Sequence, residues 1–300
     1  MSRLHRPVLL MEVIENINII SDGVYADLTF GEGGHSDVFL DQPIKTLFGN
    51  DRDKSTLDRY RTTGKYRHDP RLRLVEGPFS EFVSKTSGTK FDGILVDLGV
   101  STRQLLDPER GFSLMGAGPL DMRMNPGVGE PLSAWLTHLS AEELADQLYL
   151  NAEIRDSRRL ARKIISAFRE GKLTNTLELA KLAGPKIPGK SHPATALFTA
   201  LRMMVNSEKN EMETTIPHLI DCLKPGGRLV VLTFHSTEDR IIKRIFLKAA
   251  GRCVCEEPIC RCSKTASVKL ITKKPIEPSP EELEENPRAR SAKLRCVEKI

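Results

Sequence analysis

Four short apolar runs, bounded by turn residues, alternate with stretches of helical periodicity in the first hundred residues. Val24 to Phe30, Lys45 to Asn50, Leu72 to Glu76 and Gly93 to Leu98 are nearly continuous in hydrophobic residues rather than alternating. That pattern suits strands buried on both faces, which occur in parallel sheets built from βαβ units. Helices are expected from Pro7, a good first helical residue, to about Asn18, and from near His35, Lys54 and Phe79. The fold class is therefore α/β.

After Gly99 the pattern changes. Arg103 to Gly129 is rich in Gly, Pro and Met, and helical periodicity then dominates for about eighty residues. Ser140 with Glu143 reads as a capping box opening a helix to Leu150, Asp156 to Arg169 is basic and amphipathic, and Thr176 to Leu182 is short. A long helix is expected from Ala194 to Cys222, broken at Pro217. Strand character resumes at Gly227 to Phe234 after the turn Lys224 to Gly227. A helix is expected from Ser236 to Ala250, and further strands at Val268 to Thr272 and Ala292 to Val297. We divide the chain into residues 1–104, the first part of the sheet domain, 105–210, a helical insertion, and 211–300, which completes the sheet.

A chain of 300 residues buries roughly 75% of the surface its unfolded form exposes, so it needs no disulfide scaffold. With 39% hydrophobic and 28% charged residues it is neither disordered nor collagen-like. Its only apolar run near the N-terminus is Val8 to Met11, and no stretch is long enough to span a bilayer, which implies a cytoplasmic protein without a membrane role. The net charge of +5 is unevenly placed: from Arg240 onward 15 basic residues face 8 acidic ones, a local +7 that leaves −2 for residues 1–239. A basic final fifth leans towards a polyanionic partner, although solvated lysines are the commoner cause of such an excess.

Three segments carry chemistry. Asp27 to Ser36 runs from a strand through Gly31, Gly33 and Gly34 into a helix, a geometry suited to a nucleotide, but Ser36 stands where a dinucleotide site has its third glycine. Asp51, twenty residues beyond Gly31, is placed to accept ribose hydroxyls; its plain alternative is a helix cap. The missing glycine argues against a pyrophosphate and for a cofactor such as S-adenosylmethionine. Asp97 ends a strand at the sheet edge where α/β sheets bind ligands, or else caps the following loop. Arg103, Gln104, Arg110 and Gly118 to Met124 follow on what reads as a polar loop.

The sequence resembles the bacterial small-subunit (16S) ribosomal RNA cytosine-N4 methyltransferase family. The resemblance runs from His5-Arg6-Pro7-Val8-Leu9-Leu10 through the Gly31 to Ser36 loop, Asp51-Arg52-Asp53, Asp97-Leu98-Gly99-Val100-Ser101, Glu109 to Ser113, Gly118 to Met124, His192-Pro193-Ala194-Thr195, Phe234-His235-Ser236 and Asn286 to Arg295. It implies a Rossmann-like class I S-adenosylmethionine-dependent methyltransferase with an inserted helical domain for substrate recognition. Its substrate would be a cytidine in the decoding centre of 16S rRNA within the small ribosomal subunit. The resemblance does not fix whether the enzyme works as a homodimer.

By the same resemblance Gly33, Gly34, His35, Asp51, Phe79, Asp97 and Gln104 contact the cofactor, Phe79 near the adenine; from residue type alone Phe79 reads as core. Asp97, His235 and Ser236 are the candidate catalytic residues, Asp97 between cofactor and amine, the other two holding the cytosine. A buried structural histidine is the alternative for His235. Arg240, Lys243, Arg244, Arg288, Arg290, Lys293 and Arg295 are candidate RNA contacts, as are Arg155, Arg158, Arg159, Arg162 and Lys163 on the insertion. Three positions depart from the family pattern: Ala196 where Arg is usual, Thr199 where Gln is usual and Thr237 where Leu is usual. Cys253, Cys255, Cys260 and Cys262 are a candidate zinc set, though the Cys-x-Cys spacing is tighter than a usual zinc knuckle. A nicotinamide oxidoreductase is the rival enzyme class; an RNA-binding factor that has lost transfer is the non-enzymatic alternative.

Overall fold

The computed structural model describes residues 7–86, 88–185, 192–255 and 265–300. Helix α1 (Leu10–Ile17) precedes strand β1 (Val24–Asp27); α2 (Gly34–Leu40) leads to β2 (Thr46–Asp51), α3 (Lys54–Thr63) to β3 (Leu72–Glu76) and α4 (Phe79–Lys85) to β4 (Phe91–Asp97). Helices α5 (Thr102–Leu106), α6 (Leu132–His138), α7 (Ala141–Ala152), α8 (Ser157–Arg169), α9 (Thr176–Leu182) and α10 (Pro193–Val205) follow. The chain continues through α11 (Glu208–Cys222), β5 (Leu223–Thr233), α12 (Ser236–Ala249), β6 (Val268–Leu270), α13 (Pro280–Glu285) and β7 (Lys293–Lys299).

The strands form one seven-stranded sheet in the order β3-β2-β1-β4-β5-β7-β6. The first five are parallel, and β7 runs antiparallel to both of its neighbours. This is a Rossmann-like arrangement, as the resemblance implies. Strand order reverses between β1 and β4, so the crevice beyond their carboxyl ends is the place where such sheets take ligands.

The chain divides into two compact units, Met1–Gly99 with Asn210–Ile300, and Val100–Lys209. In the sheet unit Val13, Ile17, Tyr25, Phe39, Leu95, Val230 and Leu294 are fully buried in one core. In the helical unit α8 turns Ala161, Ile164 and Ile165 inward, against Leu144 and Leu148 of α7 and Leu197 and Leu201 of α10. The outward face of α8 carries Arg158, Arg159, Arg162 and Lys163. Its inward spacing of three and four residues produces this separation of apolar and basic faces.

Two expectations are corrected. The break in the long helix falls at Asn206–Ser207, and α11 runs through Pro217. Ser207 is left-handed at φ 52°, while Asn206 accepts a hydrogen bond from the Met124 amide and donates one to the Met122 carbonyl, both at 2.8 Å. A side chain serving another segment, rather than the proline, ends α10. Lys224 to Gly227 is likewise not a turn before β5 but an irregularity inside it: Leu223 pairs with Phe91, and pairing resumes at Arg228 with Gly93. The Lys224 ammonium anchors it by donating to Asp92, 2.6 Å away.

Candidate active site

Carboxylates gather at the carboxyl ends of the parallel strands. Asp27 ends β1 and is buried; it accepts hydrogen bonds from the Ser36 hydroxyl at 2.8 Å and the Thr29 amide at 3.2 Å. Burial, only partly offset by those donors, pushes its pKa up to about 6. Asp51 ends β2, accepting from the Gly31 and Asp53 amides, each at 2.8 Å, and burial pushes it to about 6 as well. The helix cap is its neighbour Asp53, whose side chain accepts from Ser55 at the start of α3. Asp51 instead ties the end of its strand to the glycine turn.

Asp97 ends β4, with its backbone amide donating to the Thr29 hydroxyl at 2.6 Å. Burial, then the carboxylates of Asp27 and Glu238, hold its pKa well above the usual range. His35, buried on α2, donates from Nε2 to the Val8 carbonyl at 3.0 Å, and its Nδ1 stands 3.8 Å from Asp97 Oδ2. Gly33 caps α2 at φ 83°, and Gly34 is its first helical residue. A β-carbon on Gly33 would collide with the Tyr60 ring, which is held by its hydroxyl bond to Asp37 and packs edge-on to Phe30 at 4.6 Å. The glycine there serves close packing beneath the loop as well as its left-handed backbone.

His235 caps α12 and Ser236 opens it, just beyond β5. Nδ1 of His235 accepts from the Glu238 amide at 3.4 Å, which leaves the proton of the neutral ring on Nε2. Nε2 is buried, 2.8 Å from Glu238 Oε1, yet out of line for a hydrogen bond; Glu238 gives its other oxygen to the Phe234 amide at 2.8 Å. Asp97 Oδ1 is also sealed from solvent and has no hydrogen-bond partner among the described residues. Asp97 Oδ1 is thus, among the described residues, an acceptor without a hydrogen-bond partner at the end of β4, and the His235 ring stands just beyond the neighbouring β5 with Nε2 against Glu238. Such an acceptor carries a desolvation penalty of about 1–3 kcal/mol unless an incoming donor completes it.

The MraW methylase family model matches residues 2–300. The chain belongs to the MraW methylase family. It is 39% identical over 305 residues to "Ribosomal RNA small subunit methyltransferase H" of Carboxydothermus hydrogenoformans, covering 99% of this chain and 98% of the relative. A relative of the same name from Thermomicrobium roseum is 38% identical over 311 residues, covering 100% and 95%. A solved rRNA methylase from Streptococcus thermophilus is 10% identical with a TM-score of 0.43, covering 100% of this chain and 99% of that one.

The remaining positions read from the sequence of this methylase fall out differently. Phe79 is the buried first residue of α4. Gln104 lies in the helical unit, where its Oε1 accepts from the Ser101 amide at 3.0 Å and completes a capping box. Arg240, Lys243 and Arg244 line the exposed side of α12, and Arg288 and Arg290 are exposed, while Lys293 is half-buried. Arg295 is corrected: it is 7% exposed and makes a bidentate pair with Asp239 at 2.6 and 3.0 Å, so it is not available to phosphate. Its strand faces it into the sheet unit, a direction that a basic motif alone does not reveal.

Arg295→Ala is therefore expected to lower stability by about 3 kcal/mol, by stranding a carboxylate. RNA affinity of the folded fraction should stay unchanged; a selective loss of RNA binding without loss of stability would falsify the structural assignment. Cys253 and Cys255 place their sulfurs 3.0 Å apart, and Cys260 and Cys262 lie outside the described residues. Among the described residues no group of three or more His, Cys, Asp or Glu is placed to hold a metal. No helix there is long and apolar enough to cross a membrane. Asp27, Thr29 and Glu238 are not singled out by the sequence motifs; the contacts of all three, and the burial of Asp27 and Glu238, mark them.

Proposed function

We propose that the protein transfers a methyl group from S-adenosylmethionine to the exocyclic N4 of a decoding-centre cytidine in 16S rRNA, acting on the small ribosomal subunit in the cytoplasm. The observation that carries this reading is Asp97 Oδ1, sealed from solvent without a hydrogen-bond partner among the described residues, at the end of the strand beside the one that His235 follows. The name shared by the relatives supports small-subunit rRNA as the substrate. Gly33, Gly34, His35, Asp51 and Phe79 are assigned to the cofactor.

When bound, S-adenosylmethionine supplies an electrophilic methyl group on a sulfonium centre. The amine then needs aim more than it needs a strong base. Asp97 Oδ1 accepts a hydrogen bond from the amine and so orients its lone pair. Having a raised pKa, the same oxygen is a suitable acceptor for the proton released after transfer. Cytosine presents acceptors at its O2 and N3 edge, and the His235 Nε2 proton, with the Ser236 hydroxyl, supplies donors for them. Reaching that pocket requires the base to leave any stack.

The exposed face of α12, with Arg288 and Arg290, is assigned to the RNA backbone. So, separately, is the basic face of α8. Neutralising Arg240, Lys243 and Arg244 together is expected to lower the slope of log affinity against log salt by about 2–3, roughly one per lost phosphate contact. A flat salt dependence in the unaltered protein would overturn this assignment. For the reaction, rRNA from cells lacking the protein is digested and analysed by mass spectrometry, and labelled methyl is offered to the recovered subunits. Loss of one N4-methylcytidine, restored by the protein, is expected. Unchanged modification, or calorimetric binding of NAD in place of S-adenosylmethionine, counts against it.

A further inference from the structure

Glu211 belongs to the sheet unit, near the start of α11, and is 7% exposed. Its Oε1 accepts from the Ser80 amide at 3.2 Å and the Ser80 hydroxyl at 3.3 Å, while Oε2 stands 3.2 Å from Arg52 Nη2. These contacts reach two separate segments. Arg52 directly follows Asp51 at the end of β2, and Ser80 directly follows Phe79 at the head of α4.

The first turn of a helix has backbone amides without partners inside the helix. Pro78, at the cap position of α4, provides no side-chain hydrogen bond. Glu211 supplies it from another element. A carboxylate so deeply buried costs more than an apolar residue of its size unless its bonds fix a geometry. The geometry it fixes here is the separation of the two segments to which the ribose and adenine are assigned.

We propose that Glu211 is a positioning residue that holds Asp51 and Phe79 at the spacing required by the adenosine portion of the methyl donor. The proposal rests on the cofactor assignment above. Glu211 itself touches neither donor nor base, so its effect is on donor affinity rather than on the chemical step.

The test measures S-adenosylhomocysteine binding by calorimetry, and steady-state kinetics, for Glu211→Ala, Glu211→Gln and Asp51→Ala in the full chain. Glu211→Ala is expected to weaken binding about tenfold and to raise the KM for S-adenosylmethionine equally, with the KM for RNA unmoved. Glu211→Gln keeps an oxygen for Ser80 and loses the ion pair, so about threefold is expected. Because it is isosteric it also decides the matter if the alanine variant does not fold. Binding unchanged in both Glu211 variants, with Asp51→Ala impaired, overturns the positioning role alone. Binding unchanged in all three overturns the cofactor assignment with it. Equal falls in kcat and RNA affinity, or a lowered melting temperature with donor affinity intact, would mark Glu211 as merely structural.

Discussion

Asp97→Asn is expected to slow methyl transfer about a hundredfold, because a hydrogen bond to a charged acceptor contributes about 1.5–3 kcal/mol and the amide that replaces it directs a donor at the amine. The pH profile separates this from damage to the fold. Burial and the neighbouring Asp27 and Glu238 raise the pKa of Asp97 in the native protein. In the wild type the rate should climb as pH rises through that raised value, and the variant should lose this limb. Stability moves in the opposite sense. A carboxyl whose pKa is raised by folding stabilises most fully below its unfolded value, and that contribution is lost as pH rises through the folded one. Asparagine does not titrate, so at pH 8 the variant should melt no lower than the wild type. A variant with near-wild-type rate and an unchanged pH profile removes Asp97 from the reaction.

Much of this arrangement is legible in the residues before any coordinates. Leu72 to Glu76 is β3 and Thr176 to Leu182 is α9, as expected, but β3 is an edge strand with no buried residue, not a strand buried on both faces. Ser140 with Glu143 forms the expected capping box, a local signal. What was not legible depends on distant partners. Arg295 reads as one more basic residue until Asp239 is found beside it. Pro217 reads as the helix breaker until Asn206 is seen bonding the Met122 to Met124 segment. Among the site residues, Asp51 and Asp97 announce themselves by ending strands; Asp27 ends β1 too, but the apolar run there reads on to Phe30 and hides it, and Glu238 becomes notable only through burial beside other carboxylates.

Gly118→Ala is expected to destabilise the protein by at least about 4 kcal/mol, a loss in the range reserved for steric failure or core disruption. Gly118 lies in the helical unit, where an added β-carbon would land on the Pro108 carbonyl oxygen. Backbone cannot step aside as a flexible side chain can. The position is also locked to α9: the Gly118 amide donates to the Thr176 hydroxyl, and its carbonyl accepts from the Thr176 amide, both at 3.0 Å. Thr176 is fully buried and donates its own hydroxyl proton to the Gly116 carbonyl at 2.8 Å. Relieving the clash means breaking that network. Thermal denaturation should show a drop of about 10 °C or more. Gly127→Ala, exposed and meeting only the tip of Asn125, is the matched control and should stay within about 0.5 kcal/mol. A Gly118→Ala protein that melts with the control contradicts the steric account.

The antiparallel seat of β7 between β5 and β6 sets a schedule for biosynthesis. Leu229 to Leu232 of β5 are fully buried in the finished sheet, yet the strand that covers their outer edge is drawn from Lys293–Lys299. At about 5–20 residues per second, a ribosome needs roughly 3–13 s after completing β5 to deliver that partner. Throughout that interval a nascent chain displays an apolar strand with one unmatched row of amides and carbonyls, the kind of surface that recruits other chains. Yield in a cell should thus depend on translation speed over residues 234–299, with chaperones most needed during that window.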